Sequence, residues 1–165
     1  SAIAVTLGAD VPFFVGGRNA FVEGIGEILT PISVPPQWYA VVKPAAALPT
    51  AEIFGHPGLT RDTEAVIVEG SLDDAQRVSA WVDGWGRNDL QPVAEERCSG
   101  VAQAARWLEQ VYGNSRMTGS GSAVFARAGA GETPAATLPM QQLASGWEAR
   151  MCRSLPRHPL VGWAD

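Results

Sequence analysis

The sequence predicts an α+β fold in which helices cover one face of a small sheet. A continuous apolar and β-branched run at residues 38–42 ends at Lys43 and is typical of a buried strand. Apolar residues recur with helical spacing over residues 101–112, and Gly113 stops that pattern. From residue 38 onward the predicted order is strand, helices, strand, helix, strand. Two such strand–helix–strand crossovers predict a ferredoxin-like α/β sandwich.

The stretch before residue 38 predicts a separate set of elements. Residues 1–7 are apolar and predict the end of a buried helix or strand. Residues 18–23 alternate as a strand, two glycines interrupt the pattern, and residues 27–32 resume an extended course. Three prolines between residues 31 and 36 then break regular structure. We therefore predict a domain boundary there, with domains of residues 1–35 and 36–165.

The second predicted domain contains capped helices and two further strands. Thr50 is a candidate N-cap for a short helix that ends at Gly55. Ser71 opens a helix with acidic residues in its first turn, and Ser99 is predicted to cap the helix over residues 101–112. The remaining predicted elements are a turn of small residues that feeds a strand at 117–126, a helix that begins at Thr133 and Pro134, and an alternating strand at 147–152.

Length and charge limit the classes of protein that the chain can represent. With 165 residues it is long enough for one ordinary core, or for one domain and part of another. Its 12 basic and 17 acidic side chains give a net charge of −5 without a basic cluster, which argues against nucleic acid or an anionic membrane as the main partner. Cys98 and Cys152 lack metal-ligand or redox spacing, and no secretory leader is recognised. These features predict a cytoplasmic globular protein with two reduced thiols.

Asp10 is the carboxylate around which the first stretch is arranged. It lies between an apolar run and a Pro-Phe-Phe segment, with Gly8 before it and Pro12 after it. Gly8 permits a backbone turn that other residues avoid, and Pro12 fixes its own φ. A carboxylate held beside apolar groups can be partly desolvated, which tunes a weak base for proton abstraction. The alternative is that Asp10 only caps a helix that opens near Pro12.

The segment LGADVPFFVGGRNAFVEGIGEILTPI, at residues 7–32, resembles a signature of the 4-diphosphocytidyl-2-C-methyl-D-erythritol kinases. That family belongs to the superfamily of galactokinase, homoserine kinase, mevalonate kinase and phosphomevalonate kinase. The resemblance implies that Asp10 is the catalytic base that takes the proton from the substrate hydroxyl. It also implies that the chain is a C-terminal half. Residues 1–35 would then complete the N-terminal kinase domain, and residues 36–165 would form a ferredoxin-like substrate domain.

The resemblance also implies roles for Thr50 and Phe54 in the segment PTAEIF. In the family a threonine and an aromatic at these positions help to hold the cytidine end of the substrate. A pyrimidine gains from stacking on an aromatic face, so Phe54 is predicted to contact the base. From the residues alone, a core aromatic is the preferred interpretation of Phe54.

The third motif of the family matches a glycine-rich turn that contains Gly119, Ser120, Gly121 and Ser122. Backbone N–H groups without bulky side chains can approach an anion closely, so this turn is predicted to support the phosphate side of the site. A plain turn is the alternative. The segment NDLQPVA also resembles the family, and Asn88 and Asp89 in it are interpreted as capping residues rather than catalytic ones.

The function that the resemblance implies is ATP-dependent phosphorylation of the 2-hydroxyl of 4-diphosphocytidyl-2-C-methyl-D-erythritol, in the non-mevalonate route to isoprenoid precursors. The chain contains neither the family's glycine-rich ATP loop nor a Walker motif, and the lysine that pairs with the base would lie upstream. The N-terminal half is therefore an expected partner, and this fragment alone is expected to be inactive. Mg²⁺ is expected to arrive with ATP, because His56 and His158 have no metal-ligand spacing.

Two alternative functions remain open at this point. The first is another small-molecule kinase of the same superfamily, although the segments NAFVEGIGE and PTAEIF favour the diphosphocytidyl substrate. The second is a non-catalytic binding module, a function that does not need an ATP loop.

Overall fold

The computed structural model describes residues 2–64 and 86–161, and these residues divide into two compact units. The first unit contains residues 2–36 and 155–161. The second contains residues 37–64 and 86–154. The helix predicted to open at Ser71 lies outside the described residues.

The first unit is built from two short helices and a β-hairpin: α1 (Ala2–Leu7), α2 (Val11–Gly16), β1 (Ala20–Glu23) and β2 (Ile28–Pro31). The two strands pair antiparallel, with Ala20 opposite Pro31. The extended segments predicted on either side of two glycines are thus confirmed as this hairpin. Helix α1 buries Ala4 but leaves Ile3 and Leu7 each 73% exposed, so the prediction of a buried element is wrong for Ile3 and Leu7.

The second unit combines a four-stranded sheet with helices. Its elements are β3 (Gln37–Lys43), α3 (Thr50–Phe54), α4 (Gln91–Arg97), α5 (Ser99–Tyr112), β4 (Ser115–Met117), β5 (Val124–Ala130), a single 3-10 turn (Met140–Gln142) and β6 (Glu148–Arg153). The strand order is β4-β5-β3-β6, and every pair of neighbours is antiparallel. The predicted strand at residues 38–42 and the last strand are confirmed.

Helix α5 forms the core of the second unit together with the sheet. Its buried side chains follow the spacing i, i+3, i+4 and i+7, which places Val101, Ala104, Ala105 and Leu108 on one face. That face packs on β3, β4 and β5, where Ala40, Val42 and Val124 are fully buried. The helix ends where the N–H of Gly113, in the left-handed conformation, donates to the carbonyl of Glu109 at 2.8 Å.

Two predicted details of the helices need correction. Ser99 is the first residue of α5 rather than its cap, because the extended Cys98 occupies the cap position. No helix begins at Thr133 and Pro134; the N–H of Ala135 donates instead to the carbonyl of Ala128 on β5, at 2.6 Å. This bond ties the segment to the sheet and takes Ala135 out of any helical pattern.

The helices and antiparallel strands confirm the predicted α+β class. The ferredoxin-like assignment remains a prediction. A second crossover helix is expected between β5 and β6 in such a sandwich, whereas the described chain has only a 3-10 turn there.

Candidate active site

Asp10 lies in the turn that joins α1 to α2. The N–H of Val11 donates to the carbonyl of Gly8 at 3.2 Å, and the N–H of Phe14 donates to the carbonyl of Asp10 at 3.3 Å. Asp10 occupies the N-cap position of α2, yet its carboxylate makes no capping hydrogen bond and the residue is exposed. The cap interpretation therefore agrees with the position of Asp10 at the start of α2, but it gives the carboxylate no function. The partial desolvation that the apolar neighbours predicted is absent from the described structure.

The β-hairpin of the first unit supports this turn from the side. Gly26, at the tip between β1 and β2, has φ of 118° and lies so close to Ala9 that a Cβ would overlap the Ala9 carbonyl. The tip is closed by Glu27, whose carboxylate accepts a hydrogen bond from the N–H of Ile25 at 2.7 Å. The hairpin thus holds the backbone immediately before Asp10.

The far end of α2 packs against the closing segment of the first unit. The ring of Phe14 meets the ring of His158 edge to face, with 5.8 Å between centroids. The N–H of His158 donates to the carbonyl of Gly17 at 2.9 Å. His158 Nδ1 accepts a hydrogen bond from the N–H of Leu160, which gives this histidine a structural role. Helix α2 is therefore held at both ends.

Thr50 and Ser120, predicted to serve opposite ends of the substrate, are in direct contact in the second unit. Their hydroxyl oxygens lie 2.9 Å apart and share a hydrogen bond. Thr50 is the first residue of α3 rather than its N-cap, a position that Pro49 occupies, so its hydroxyl is not used for capping. The pattern of the sequence gave no signal for this pairing, because 70 positions separate the two residues.

Phe54 lies at the end of α3 with 53% of its surface exposed. The interpretation of Phe54 as a core aromatic is therefore wrong. Its neighbour Ile53 is the buried anchor of the helix, and Arg61 donates a hydrogen bond to the carbonyl of Phe54. The exposed ring is free to offer a face to a planar ligand, and stacking on a pyrimidine remains a prediction.

The glycine-rich turn between β4 and β5 is a tightly packed loop. Ser122 is buried and donates to the carbonyl of Ala46 at 2.6 Å. The N–H of Gly121 donates to the carbonyl of Thr118, and a Cβ at Gly121 would lie 2.8 Å from the sulfur of Met117. Glycine is therefore favoured here both by this packing and by the left-handed φ of 91°, neither of which the sequence pattern established.

Asn88 and Asp89 precede α4, but neither side chain acts as its N-cap, since Leu90 holds that position without a capping bond. Asn88 accepts a hydrogen bond from the N–H of Leu90 through its Oδ1, and its amide nitrogen binds the end of β4 and the glycine-rich turn. The carboxylate of Asp89 accepts a hydrogen bond from the hydroxyl of Thr63 at 2.7 Å and forms an ion pair with Arg87, also at 2.7 Å. The capping prediction is corrected for both residues.

Several further residues that carry an ionisable or thiol group lie outside the set of candidate site residues. His56 is buried, and its Nδ1 accepts a hydrogen bond from the N–H of Gly58. Burial raises the pKa of Tyr39 above its ordinary value, although nearby Arg127 acts to lower it; burial also raises the pKa of Tyr112. Cys98 and Cys152 are free thiols.

Within residues 2–64 and 86–161, no group of three or more His, Cys, Asp or Glu side chains could hold a metal ion. In the same residues no helix is long and apolar enough to cross a membrane.

The sequence of the chain is similar to those of known kinases. The family model "GHMP kinases C terminal" matches residues 67–137. The 4-diphosphocytidyl-2-C-methyl-D-erythritol kinase of Methylibium petroleiphilum is 52% identical over 99% of this chain and 55% of its own length. The enzyme of the same name from Albidiferax ferrireducens is 47% identical over 99% of the chain and 52% of its own length. The chain thus spans about half the length of the curated relatives it matches.

A solved structure agrees with these matches. The crystal structure of a 4-(cytidine 5'-diphospho)-2C-methyl-D-erythritol kinase is similar with a TM-score of 0.62 at 30% identity. The similarity covers 78% of this chain and 47% of the other. The chain therefore belongs to the GHMP kinase family, as the segment around Asp10 predicted. Within that family its similarity along almost the whole chain is to the 4-diphosphocytidyl-2-C-methyl-D-erythritol kinases.

Proposed function

We propose that this chain supplies the general base and part of the substrate site of a small-molecule kinase. The substrate is 4-diphosphocytidyl-2-C-methyl-D-erythritol, the acceptor is its 2-hydroxyl, and ATP is the phosphoryl donor. The observation that carries the proposal is the Asp10 carboxylate, which is exposed, makes no capping bond and lies on a turn held by backbone contacts. The sequence identity of 52% and 47% to two 4-diphosphocytidyl-2-C-methyl-D-erythritol kinases supports the choice of substrate.

The chemistry assigned to Asp10 is proton removal from the attacking hydroxyl. The hydroxyl oxygen forms a bond to the γ-phosphorus of ATP, the bond from that phosphorus to ADP breaks, and the proton passes to the Asp10 carboxylate. A base must lie within hydrogen-bond reach of the proton that it abstracts. An unengaged carboxylate on a turn with restricted backbone freedom is suited to this task.

Residues of the second unit are assigned to substrate positioning. The exposed ring of Phe54 stacks on the cytosine, and Thr50 lies on the same short helix at the cytidine side. The glycine-rich turn supports the phosphate side through its backbone N–H groups. The hydrogen bond between Thr50 and Ser120 then joins the two sides of the substrate site.

The full protein in this proposal includes a segment equivalent to the other half of the relatives. That segment supplies the ATP loop and the lysine that pairs with Asp10, residues 1–35 complete the kinase domain, and residues 36–165 form a ferredoxin-like substrate domain. In this proposal magnesium arrives with ATP. The enzyme works in the cytoplasm on isoprenoid precursors.

A substrate panel tests this function. The full-length protein that contains this chain is given ATP with the diphosphocytidyl substrate, homoserine or mevalonate, and ADP formation is measured. We expect turnover of the diphosphocytidyl substrate alone, with phosphorus NMR locating the new phosphomonoester on the 2-oxygen. Preferred turnover of homoserine or mevalonate would identify another kinase of the superfamily. Failure with all three would favour a non-catalytic binding module.

A further inference from the structure

Asn88 makes three hydrogen bonds through its side-chain amide, and they join the start of α4 to the end of β4 and to the glycine-rich turn. Its Nδ2 donates to the carbonyl of Met117 at 2.9 Å and to the carbonyl of Gly119 at 2.8 Å. Its Oδ1 accepts a hydrogen bond from the N–H of Leu90 at 3.0 Å. The amide has two donor hydrogens, so one is used on the end of β4 and the other on the turn.

We infer that Asn88 is a positioning residue that fixes the glycine-rich turn of residues 118–122 for phosphoryl transfer. The inference rests on the proposed function, in which this turn supports the phosphate side of the site. Asn88 reaches the turn from the start of α4, while Ser122 and Ser120 hold its other side through Ala46 and Thr50. The turn is therefore fixed between two separate supports.

The planarity of the peptide unit explains what Asn88 controls. A trans peptide directs its carbonyl and the next N–H in opposite directions. When the carbonyl of Gly119 is held by Asn88, the N–H of Ser120 is consequently directed away from Asn88. That N–H belongs to the set of donors assigned to the phosphate side. Release of the Gly119 carbonyl would remove the bond that fixes this peptide on the side of Asn88, and Gly119, which is exposed and has no side chain, adds no restraint of its own.

Neighbouring contacts make the attachment stiff. The side chain of Gln91 accepts a hydrogen bond from the N–H of Met117 at 2.8 Å, so α4 holds β4 at a second point. Met117 is fully buried, and Gln91 is in turn bonded to Glu95 at 2.7 Å. The base of the turn is thus part of the core, and Asn88 extends that rigidity to Gly119.

The test compares Asn88→Asp with Asn114→Asp in the full-length protein. Each substitution replaces an amide that donates to two carbonyls by a carboxylate that cannot. Asn114 is a matched control, because its Nδ2 donates to the carbonyls of Tyr112 and Arg127 and its Oδ1 accepts from the N–H of Arg127. Of the two asparagines, only Asn88 makes a hydrogen bond to the glycine-rich turn. Thermal unfolding, kcat and KM are measured for both variants, and Asn88→Ala serves if Asn88→Asp does not fold.

We expect both variants to lower the melting temperature to a similar extent. Only Asn88→Asp should lower kcat by about tenfold or more while KM for the diphosphocytidyl substrate stays within about threefold, as expected when a transition-state contact is misplaced. Amide hydrogen exchange at residues 118–122 should accelerate in that variant alone. Equal losses of kcat in both variants, or unchanged amide hydrogen exchange in the turn, would contradict the inference and show that Asn88 only stabilises the fold.

The two hypotheses fail in distinguishable ways. An unsubstituted protein without kinase activity contradicts the proposed function, and hydrogen exchange then still decides whether Asn88 fixes the turn. An active protein in which Asn88→Asp behaves like Asn114→Asp contradicts the inference alone.

Discussion

At Gly26 the tip of the β-hairpin lies against the backbone of Ala9, next to the proposed base. A methyl group at this position would overlap the Ala9 carbonyl, and backbone cannot move aside as a flexible side chain does. The left-handed φ of 118° adds a further cost for any other residue. The geometry of Asp10 therefore depends on a residue that carries no functional group.

Gly26→Ala is predicted to lower kcat by about tenfold or more, because small displacements of a catalytic group carry large rate costs. Gly113→Ala is the control. The alanine would again have to adopt a left-handed conformation, here with φ of 75°, but its Cβ would meet nothing within 4 Å. That substitution should cost about 1–2 kcal/mol of stability and leave kcat unchanged. Steady-state kinetics and urea unfolding of both full-length variants provide the comparison. Equal kinetic losses would show that strain, rather than displacement of Ala9, is responsible.

Individual candidate residues for the site could be named from the sequence only where a motif contained them, and their roles remain predictions. The GADVP segment identified Asp10 as a candidate base, and PTAEIF identified Thr50 and Phe54. The bond between Thr50 and Ser120 was not predictable, since it depends on how α3 and the glycine-rich turn fold onto each other. The role of Asn88 was missed because Asn before a helix is usually interpreted as a cap, whereas here its amide reaches a distant turn.

Helix α5 is the element that the sequence predicted most directly. Its apolar residues repeat with helical spacing, and the sheet buries that same face. The helix at Thr133 and Pro134 failed by contrast, although a Thr-Pro pair is a strong local signal. The competing interaction is long-range: Ala135 bonds to Ala128 on β5, and the hydroxyl of Tyr112 donates to the carbonyl of Ala136. Local propensity cannot anticipate such contacts.

Leu108→Ala tests the packing of α5 on the sheet. Leu108 is fully buried, so its truncation is expected to lower the free energy of unfolding by about 2–5 kcal/mol through lost burial and a residual cavity. Arg106→Ala, on the exposed side of the same helix, should change it by about 0.5 kcal/mol or less. Urea unfolding of the full-length variants measures both values. Similar effects at the two positions would contradict the assigned core face.

At the scale of the whole molecule, the sequence indicated the family because the matching segments are long and span both compact units. The α+β class followed from the order of periodic segments, and the structure confirms it. The strand order β4-β5-β3-β6 required the structure, because it depends on pairing between strands that are far apart in the sequence. The assignment of residues 1–35 to a kinase domain remains a prediction.

The central claim is that Asp10 removes the proton during phosphoryl transfer. The most direct measurement is a single-turnover experiment on the full-length protein with Asp10→Asn, which keeps the size of the side chain but removes its basicity. We predict that binding of ATP and of the diphosphocytidyl substrate, measured by calorimetry, remains within about threefold, while the rate of transfer falls by about a hundredfold or more. A transfer rate equal to that of the unsubstituted protein would contradict the account and leave Asp10 as a residue of the α2 turn.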